Sequence, residues 1–279
     1  MATIGLLAGV GILPVEFLRA AQADGRRVVV IAVVDDTAAE LEREADAFYR
    51  IHVLKLNRII RTLTAEGVTQ ATMLGKVTKE ILFKRMALPD TRALKLLHRL
   101  RNRKDDTIME ALVEELAADG IEVPDQTAYL QALLPAPQVF TRRRPTADEW
   151  ADIRFGFATA KQMGRLDIGQ TVVISRQAVM AIEAIEGTDA CIERGCALAR
   201  HGAVVVKTAK PQQDTRFDVP TVGMQTLRSM LAHDGAVLAI EAERTLFVEQ
   251  AAVIAEADRR GIAICALTQA QAQMPEMPL

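Results

Sequence analysis

Short apolar runs alternate with amphipathic segments through residues 3–74. Residues 3–8 and 28–34 are almost entirely apolar, and the second run is rich in β-branched residues, as in strands covered on both faces. Gly9-Val10-Gly11 and then Pro14 follow the first run, which favours a turn and the start of a helix. Because strand and helix patterns keep alternating, the sequence predicts an α/β fold with a doubly wound, Rossmann-like parallel sheet.

The same periodicities predict the remaining elements. In the first half they indicate helices at 38–47, 57–66 and 107–118, and strands at 50–53 and 71–74. The second half predicts a mixed α/β domain with helices at 147–163, 188–200, 226–233 and 253–260, a hairpin over 171–183, and strands at 203–207, 236–240 and 262–266. Prolines 135, 137 and 145 are typical of an exposed linker. We therefore predict an N-terminal nucleotide- or substrate-binding domain at 1–134 and a C-terminal catalytic domain at 135–279.

Composition excludes several classes of protein. Half of the 279 residues are hydrophobic, so the chain is not a disordered tail. A net charge of -2 and an aromatic content of 4% argue against a nucleic-acid binder. Three scattered cysteines make neither a disulfide framework nor a zinc pattern. No apolar run approaches the roughly 20 residues that span a bilayer, so a soluble cytoplasmic protein is expected.

One segment departs from this charge balance. Residues 76–104 carry ten Lys or Arg against Glu80 and Asp90, with leucines, isoleucine, phenylalanine and methionine interleaved. One interpretation is attraction to an anionic surface or ligand. The other is an amphipathic helical pair whose solvated face is basic. The sequence does not decide between them.

Candidate chemistry in the first half lies after predicted strands. Gly9 and Gly11 would let a phosphate approach backbone N–H groups at a helix start, although a purely geometric glycine turn has the same pattern. With Asp35 and Asp36 after the second strand, this turn would suit a dinucleotide. Gly75-Lys76 follows another strand, at the edge where doubly wound sheets bind ligands. Asp105-Asp106 begins a helix, and helix capping is the simpler interpretation of that pair.

Polar residues cluster more densely in the second half. Six of them fall between apolar strands: Asp167, Gln170, Glu183, Glu186, Thr188 and Asp189. The loop at 207–218 then brings together Lys207, Lys210, Gln213, Asp214, Arg216 and Asp218. Cations beside carboxylates suit a site that binds phosphate and holds a hard cation or a water-activating base. A solvated loop would look the same for each charge singly, but the grouping favours a site.

Five stretches of the chain resemble the LpxI family, the UDP-2,3-diacylglucosamine pyrophosphatases of lipid A biosynthesis. They cover residues 4–14, 104–106, 164–170, 183–190 and 210–223, the last containing Arg216-Phe217-Asp218-Val219-Pro220. The glycine loop alone is a weak match, whereas the later motifs in this order are specific. Val10 is a departure, since relatives often have a third glycine there.

The resemblance implies a two-domain cytoplasmic hydrolase that cleaves UDP-2,3-diacylglucosamine to lipid X and UMP with a divalent metal, usually Mg²⁺. It implies that Asp218 is the essential carboxylate. Two acyl chains on the substrate would need contact with the cytoplasmic face of the inner membrane, which the basic and apolar stretch at 76–104 would suit. Peripheral membrane association is therefore expected, no nucleic-acid partner is expected, and a homo-oligomer is left open.

Residue roles follow from the resemblance together with the local chemistry. We predict Asp218 and Asp214 as catalytic residues, and Asp218, Asp214 and Glu186 as ligands of Mg²⁺. The predicted substrate-binding residues are Gly9, Gly11, Gly75, Lys76, Asp105, Asp106, Asp167, Gln170, Glu186, Thr188, Lys207, Lys210 and Gln213. Two alternatives remain: an NAD-linked oxidoreductase that uses the glycine turn and Asp35, and a non-catalytic protein that binds a lipid or nucleotide sugar.

Overall fold

The computed structural model describes residues 2–77, 88–100 and 105–274, without the side chains of 105–106. The chain forms two compact units. The first comprises Met1–Gln131 together with Asp214–Asp218, and the second comprises Ala132–Gln213 and Val219–Leu279. The catalytic aspartates predicted from the sequence therefore belong to the unit built mainly from the N-terminal half.

Twelve strands and ten α-helices occur among the described residues. The strands are β1 Thr3–Ala8, β2 Arg27–Ala32, β3 Ala47–Arg50, β4 Gln70–Leu74, β5 Gln138–Val139, β6 Thr171–Ser175, β7 Ala178–Ile182, β8 Ala203–Lys207, β9 Thr221–Val222, β10 Gly235–Glu241, β11 Leu246–Phe247 and β12 Ala263–Leu267. The helices are α1 Leu13–Ala23, α2 Ala39–Glu44, α3 Leu56–Ala65, α4 Thr91–Arg99, α5 Asp105–Ala117, α6 Ala147–Arg165, α7 Thr188–Ala199, α8 Met224–Leu231, α9 Gln250–Arg260 and α10 Gln269–Ala272. None of these helices combines the length and apolarity that crossing a membrane requires.

The first unit is built on a four-stranded parallel sheet in the order β3-β2-β1-β4. Val29 and Ile31 of β2 face a core to which α3, α4 and α5 contribute. Since side chains alternate along a strand, Val28 and Val30 point to the other face, and they too are fully buried. This two-sided burial explains the nearly continuous apolar runs of β1 and β2.

The second unit contains a six-stranded mixed sheet in the order β5-β12-β10-β8-β6-β7. Strands β8, β10 and β12 are mutually parallel, and β5, β6 and β7 run antiparallel to their neighbours. One face packs against Ile153, Phe157 and Ala160 of α6. Helices α7, α8 and α9 cover the other face. The predicted α/β class is confirmed for both halves of the chain.

Two details of the sequence interpretation are wrong. The third strand lies at Ala47–Arg50 rather than at 50–53. The proline-rich segment is not a free linker, because Gln138–Val139 pairs with β12 at the edge of the sheet and Thr141 is buried. Proline is tolerated beside an edge strand, so its presence did not exclude pairing. The domain boundary at 134/135 stays a prediction.

Candidate active site

Gly9 and Gly75 lie where the loops after β1 and β4 cross. These strands are neighbours, and a Cβ on Gly9 would lie 2.7 Å from the carbonyl oxygen of Lys76. A Cβ on Gly75 would lie 2.7 Å from the carbonyl carbon of Gly9, and Gly75 also has a φ of +91°. Two backbones this close leave no space for side chains. The crossing therefore explains why both positions are glycine, without a ligand.

The crossing also uses up backbone hydrogen-bond donors. The N–H of Val10 donates to the carbonyl of Lys76 at 3.0 Å, and the N–H of Lys76 donates back at 2.8 Å. The sheet order changes direction between β1 and β4, which is where doubly wound sheets bind ligands, and here this pair of bonds bridges the crevice. Gly11 keeps open space around it, and the described residues provide no backbone acceptor for its N–H or that of Ile12. Gly11 is thus the position of this turn best suited to meet a ligand.

The structure describes only part of the basic segment at 76–104 and of the Asp105-Asp106 pair that follows it. Asp105 and Asp106 form the first turn of α5, as expected of helix-starting residues, and their side chains lie outside the description. Residues 78–87 and 101–104 are also outside it, including Lys79, Lys84, Arg85, Arg101, Arg103 and Lys104. Asp35 and Asp36 follow β2 in an exposed bend.

In the second unit, the predicted binding residues meet at the carboxyl edge of the parallel strands. Lys207 ends β8 and is 6% exposed. Its Nζ donates to Thr188 Oγ1 at 3.2 Å and to the Thr221 carbonyl at 3.0 Å. Thr188 Oγ1 in turn donates to Glu183 Oε1 at 2.7 Å. Because these groups come from four separate elements, the network fixes the edge of the sheet.

Gln170 and Thr208 extend this network by one residue on the antiparallel pair β6–β8. The Thr208 N–H donates to the Gln170 carbonyl at 3.0 Å, just beyond the pairing of Thr171 with Lys207. Gln170 Oε1 and Thr208 Oγ1 are buried and have no hydrogen-bond partner. Gln213 Nε2 shares that property. Unpartnered buried polar atoms are rare in folded proteins, and their concentration at this edge is typical of a functional site.

The loop after β8 is attached to α6 and the residues that follow it. Lys210 Nζ lies 2.9 Å from Asp167 Oδ1, and the Gln212 side-chain amide donates to the Gly164 carbonyl at 3.0 Å. A Cβ on Gly164 would lie 3.3 Å from Lys210 Cα. The structure thus brings together two predicted binding residues, Asp167 and Lys210, as an ion pair.

A buried ion pair that the sequence analysis missed holds the same loop. Lys161 Nζ lies 2.7 and 2.6 Å from the two carboxylate oxygens of Glu241, and the side chains are 7% and 3% exposed. Burial lowers the pKa of Lys161, while the hydrogen bond with Glu241 opposes that shift. The sequence contained one signal for this pair, because Glu241 is a charged residue at the end of the apolar run of β10.

Asp214–Asp218 forms a tight turn on the first unit. The Asp218 N–H donates to the Asp214 carbonyl at 2.9 Å, and the Gln126 N–H donates to the Thr215 carbonyl at 3.1 Å. Phe217 packs against the hydrophobic core of that unit. The Asp214 carboxylate accepts from the Arg216 backbone at 3.0 Å and from its guanidinium at 2.7 to 3.2 Å. Asp218 itself is half-buried.

The predicted metal ligands are not a preformed cluster. Among the described residues, no group of three or more Asp, Glu, His or Cys side chains is arranged to hold a metal ion. The guanidinium of Arg216 is the main cause that lowers the pKa of Asp214. Glu186 Oε1 lies 2.5 Å from Arg194, and its pKa is lowered by its own backbone N–H and then by Arg194. Two of the three predicted ligands are therefore already paired with arginine.

The cysteines offer no alternative nucleophile. Cys191, Cys196 and Cys265 are all buried and free. Burial raises the pKa of Cys191 to about 12 and that of Cys196 to about 11. Because the thiolate is the reactive form, these thiols are inert at neutral pH.

Both halves of the chain match models of one protein family. Residues 3–133 match the LpxI N-terminal domain, and residues 136–265 match the LpxI C-terminal domain. A relative from Caulobacter vibrioides, UDP-2,3-diacylglucosamine pyrophosphatase LpxI, is 32% identical over 273 residues, covering 94% of this chain and 96% of the relative. The chain belongs to the LpxI family. The resemblance noted in the sequence motifs is thereby confirmed.

Solved structures outside the LpxI family share limited similarity with the chain. The biotin carboxylase subunit of pyruvate carboxylase is 16% identical, with a TM-score of 0.27, covering 62% of this chain and 35% of that one. Glycinamide-RNase-transformylase T from Mycobacterium tuberculosis is 14% identical, with a TM-score of 0.25, covering 66% of this chain and 44% of that one. The chain spans less than half the length of either protein.

Proposed function

We propose that this protein hydrolyses the pyrophosphate bond of UDP-2,3-diacylglucosamine and releases lipid X and UMP. The observation that carries the proposal is the 32% identity with a pyrophosphatase of that name over 94% of the chain. In the reaction, a water oxygen attacks one phosphorus, the bond from that phosphorus to the bridging oxygen breaks, and the other phosphate leaves.

The polar edge of the second unit supports binding of a diphosphate. Lys207 at the end of β8 and Lys210 on the loop after it bring two positive charges to this edge. Charge-assisted hydrogen bonds to phosphate are the strong class of hydrogen bond in proteins. Gln170, Gln213 and Thr188 contribute neutral polar groups to the same unit.

Asp218 is the residue we propose as the catalytic carboxylate. It follows Arg216 in a turn whose shape is fixed by Asp214, so Asp214 acts in this proposal as a structural residue. A carboxylate held in a rigid turn can orient water for attack on phosphorus.

We propose that Mg²⁺ binds together with the substrate. Magnesium is commonly bound by one or two carboxylates together with substrate phosphates, so it does not need a cluster of protein ligands. We propose Asp218 as the protein ligand of Mg²⁺, because the resemblance to the LpxI family implies that it is the essential carboxylate. A bound Mg²⁺ would neutralise charge that develops on the phosphate oxygens.

Mass spectrometry of products tests the proposed reaction. We expect UMP and lipid X from UDP-2,3-diacylglucosamine, with loss of turnover in EDTA and recovery on adding Mg²⁺. Asp218→Asn should lower kcat by about 10³-fold or more without unfolding the protein. The control is Asp234→Asn, since Asp234 is 75% exposed and its φ of +54° suits asparagine. Binding of substrate without UMP release would instead support the non-catalytic alternative.

Contact with a membrane surface is a second part of the proposal. Leu88, Leu94 and Leu97 in and before α4 are 79%, 53% and 39% exposed. Lys95 and His98 are exposed on the same helix. Exposed leucines beside cations suit the headgroup region of an anionic bilayer, where an acylated substrate resides.

Vesicle flotation tests this membrane contact. We expect the protein to float with vesicles that contain phosphatidylglycerol more than with pure phosphatidylcholine. Leu94→Gln/Leu97→Gln should lower the vesicle partition coefficient by about 100-fold or more, because burying two leucine side chains contributes about 3 kcal/mol or more. Leu198→Gln is the control, since Leu198 is 59% exposed in the second unit. Equal flotation of both variants would contradict the membrane contact and would favour the alternative interpretation, an amphipathic helix whose basic face is solvated.

A further inference from the structure

Both backbone polar groups of one residue, Ala209, are hydrogen-bonded to the buried ion pair. The Ala209 carbonyl accepts from Lys161 Nζ at 2.8 Å, and the Ala209 N–H donates to Glu241 Oε2 at 2.7 Å. Ala209 is 2% exposed and lies two residues after β8. The Lys161 ammonium, the Glu241 carboxylate and the backbone N–H and C=O of Ala209 thus satisfy one another's hydrogen bonds.

Stability alone is a weak reason to bury such a pair. Replacing a buried ion pair with apolar residues of similar volume is often neutral or stabilising, because desolvation offsets the attraction. A leucine pair could fill this space, but it would leave the N–H and the C=O of Ala209 without partners. What the ion pair supplies, and apolar residues would not, is a fixed position for the backbone on both sides of Ala209.

Ala209 lies at the start of the functional loop. Lys210 follows directly, and its backbone is fixed as well, because the Lys210 N–H donates to Gln213 Oε1 at 2.7 Å. Gly164 and Asp167 of the α6 end contact the same loop, and Arg244 after β10 donates to the Lys210 carbonyl at 3.4 Å. Lys161 and Gly164 are three residues apart in α6 and therefore lie on one side of the helix, and Asp167 follows the helix end.

We propose that Lys161 and Glu241 are positioning residues, whose hydrogen bonds to the backbone N–H and C=O of Ala209 fix the loop that presents Lys210 and Gln213 to the substrate. The inference rests on the proposed function for the identity of the substrate. It concerns two residues that do not touch that substrate. Their effect on turnover passes through the backbone at Ala209.

Amide hydrogen exchange without substrate tests these hydrogen bonds independently of the reaction. In Lys161→Met, exchange at residues 209–213 should accelerate about tenfold or more relative to the rest of the second unit, because the Ala209 carbonyl and the Glu241 carboxylate lose their partner. In the same variant kcat/KM should fall about tenfold or more. Arg143→Met is the control, since Arg143 also pairs with a carboxylate on α6, Glu149, roughly 18 Å along the helix from Lys161.

A neutral double variant separates positioning from charge. In Lys161→Met/Glu241→Gln, the glutamine amide can accept from the Ala209 N–H and donate to its carbonyl, and no charge remains buried. We expect protection at 209–213 to return to within about threefold of the wild type, with kcat/KM recovering in parallel. This variant also keeps the test decisive if Lys161→Met folds poorly.

Two outcomes would overturn the inference. One is wild-type exchange at 209–213 in Lys161→Met, and the other is a neutral double variant that stays as unprotected and as slow as the single one. Failure of the wild-type protein to release UMP would contradict the proposed function. It would not affect the test of the Lys161–Glu241 contact, because hydrogen exchange is measured without substrate.

Discussion

The carboxylate of Asp214 organises the turn that carries Asp218. Its hydrogen bonds with the Arg216 side chain are the main cause that lowers its pKa, the Arg216 backbone N–H adds to this, and burial opposes it. A carboxyl whose pKa is lowered by folding stabilises the folded state above the ordinary aspartate range. That contribution is lost as pH falls through the lowered pKa. The turn should therefore persist in acid where ordinary aspartates are already protonated.

We expect Arg216→Gln to raise the pKa of Asp214 towards the ordinary aspartate value, because the charged hydrogen-bond partner is removed. Carbon-13 NMR of the Asp214 carboxyl during a pH titration measures this directly. Arg228→Gln is the control, since Arg228 is exposed on α8 of the other unit, and it should leave the titration of Asp214 unchanged. An unchanged midpoint in Arg216→Gln would mean that the ion pair does not form in solution.

At the scale of elements, one aspartate joins two helices. Asp90 Oδ1 accepts from the N–H groups of Arg92 and Ala93 in the first turn of α4, at 3.1 and 2.9 Å. Its Oδ2 accepts from the Asn57 N–H in the first turn of α3, at 2.7 Å. Helix N-termini have unsatisfied N–H groups, and Asp90 satisfies three of them at once. The arrangement fixes the start of α4 against α3.

Asp90→Ala should lower the free energy of unfolding by about 2 kcal/mol, because a helix cap contributes about 1 kcal/mol and each of the two helices loses its cap. Urea unfolding measures the change. Asp125→Ala is the matched control, because Asp125 caps a single short 3₁₀ turn at Gln126–Tyr129, and we expect about half the effect. Equal losses in the two variants would show that the Asn57 contact contributes nothing.

At the scale of the whole molecule, Phe217 attaches the turn that carries Asp218 to the first unit. It lies far along the sequence from the strands and helices of the first unit, yet it packs on their core. Phe217→Ala should accelerate hydrogen exchange in the core of residues 3–123, with a loss of about 2 kcal/mol there. Phe247→Ala, in the core of the second unit, should show the reverse pattern. Faster exchange in the second unit with Phe217→Ala would contradict the assignment.

Local patterns predicted the long elements well. Strands β2 and β8 are buried on both faces, and such strands are recognisable in the sequence because their consecutive residues are apolar. The two-residue strands β5, β9 and β11 were missed, because so few residues carry no periodicity. Pairing with distant strands alone defines them.

The candidate site was predictable in part for the same reason. Lys207, Thr188, Asp167 and Lys210 were identified as polar residues between apolar strands, and the structure joins them in two hydrogen-bonded groups. Lys161 could not be identified, since it stands in a helical pattern like any other lysine. Its partner Glu241 is 80 residues away, and only the fold brings them together.

The excursion of Asp214–Asp218 into the first unit means that the covalent chain passes between the units three times, after residues 131, 213 and 218. No single cut in the gene would yield two self-sufficient pieces. A fragment that ends near residue 134 would lack Phe217, which packs on its hydrophobic core. The complementary fragment would carry that phenylalanine without the core that covers it. Dissection of this enzyme is better done with point substitutions in the intact polypeptide.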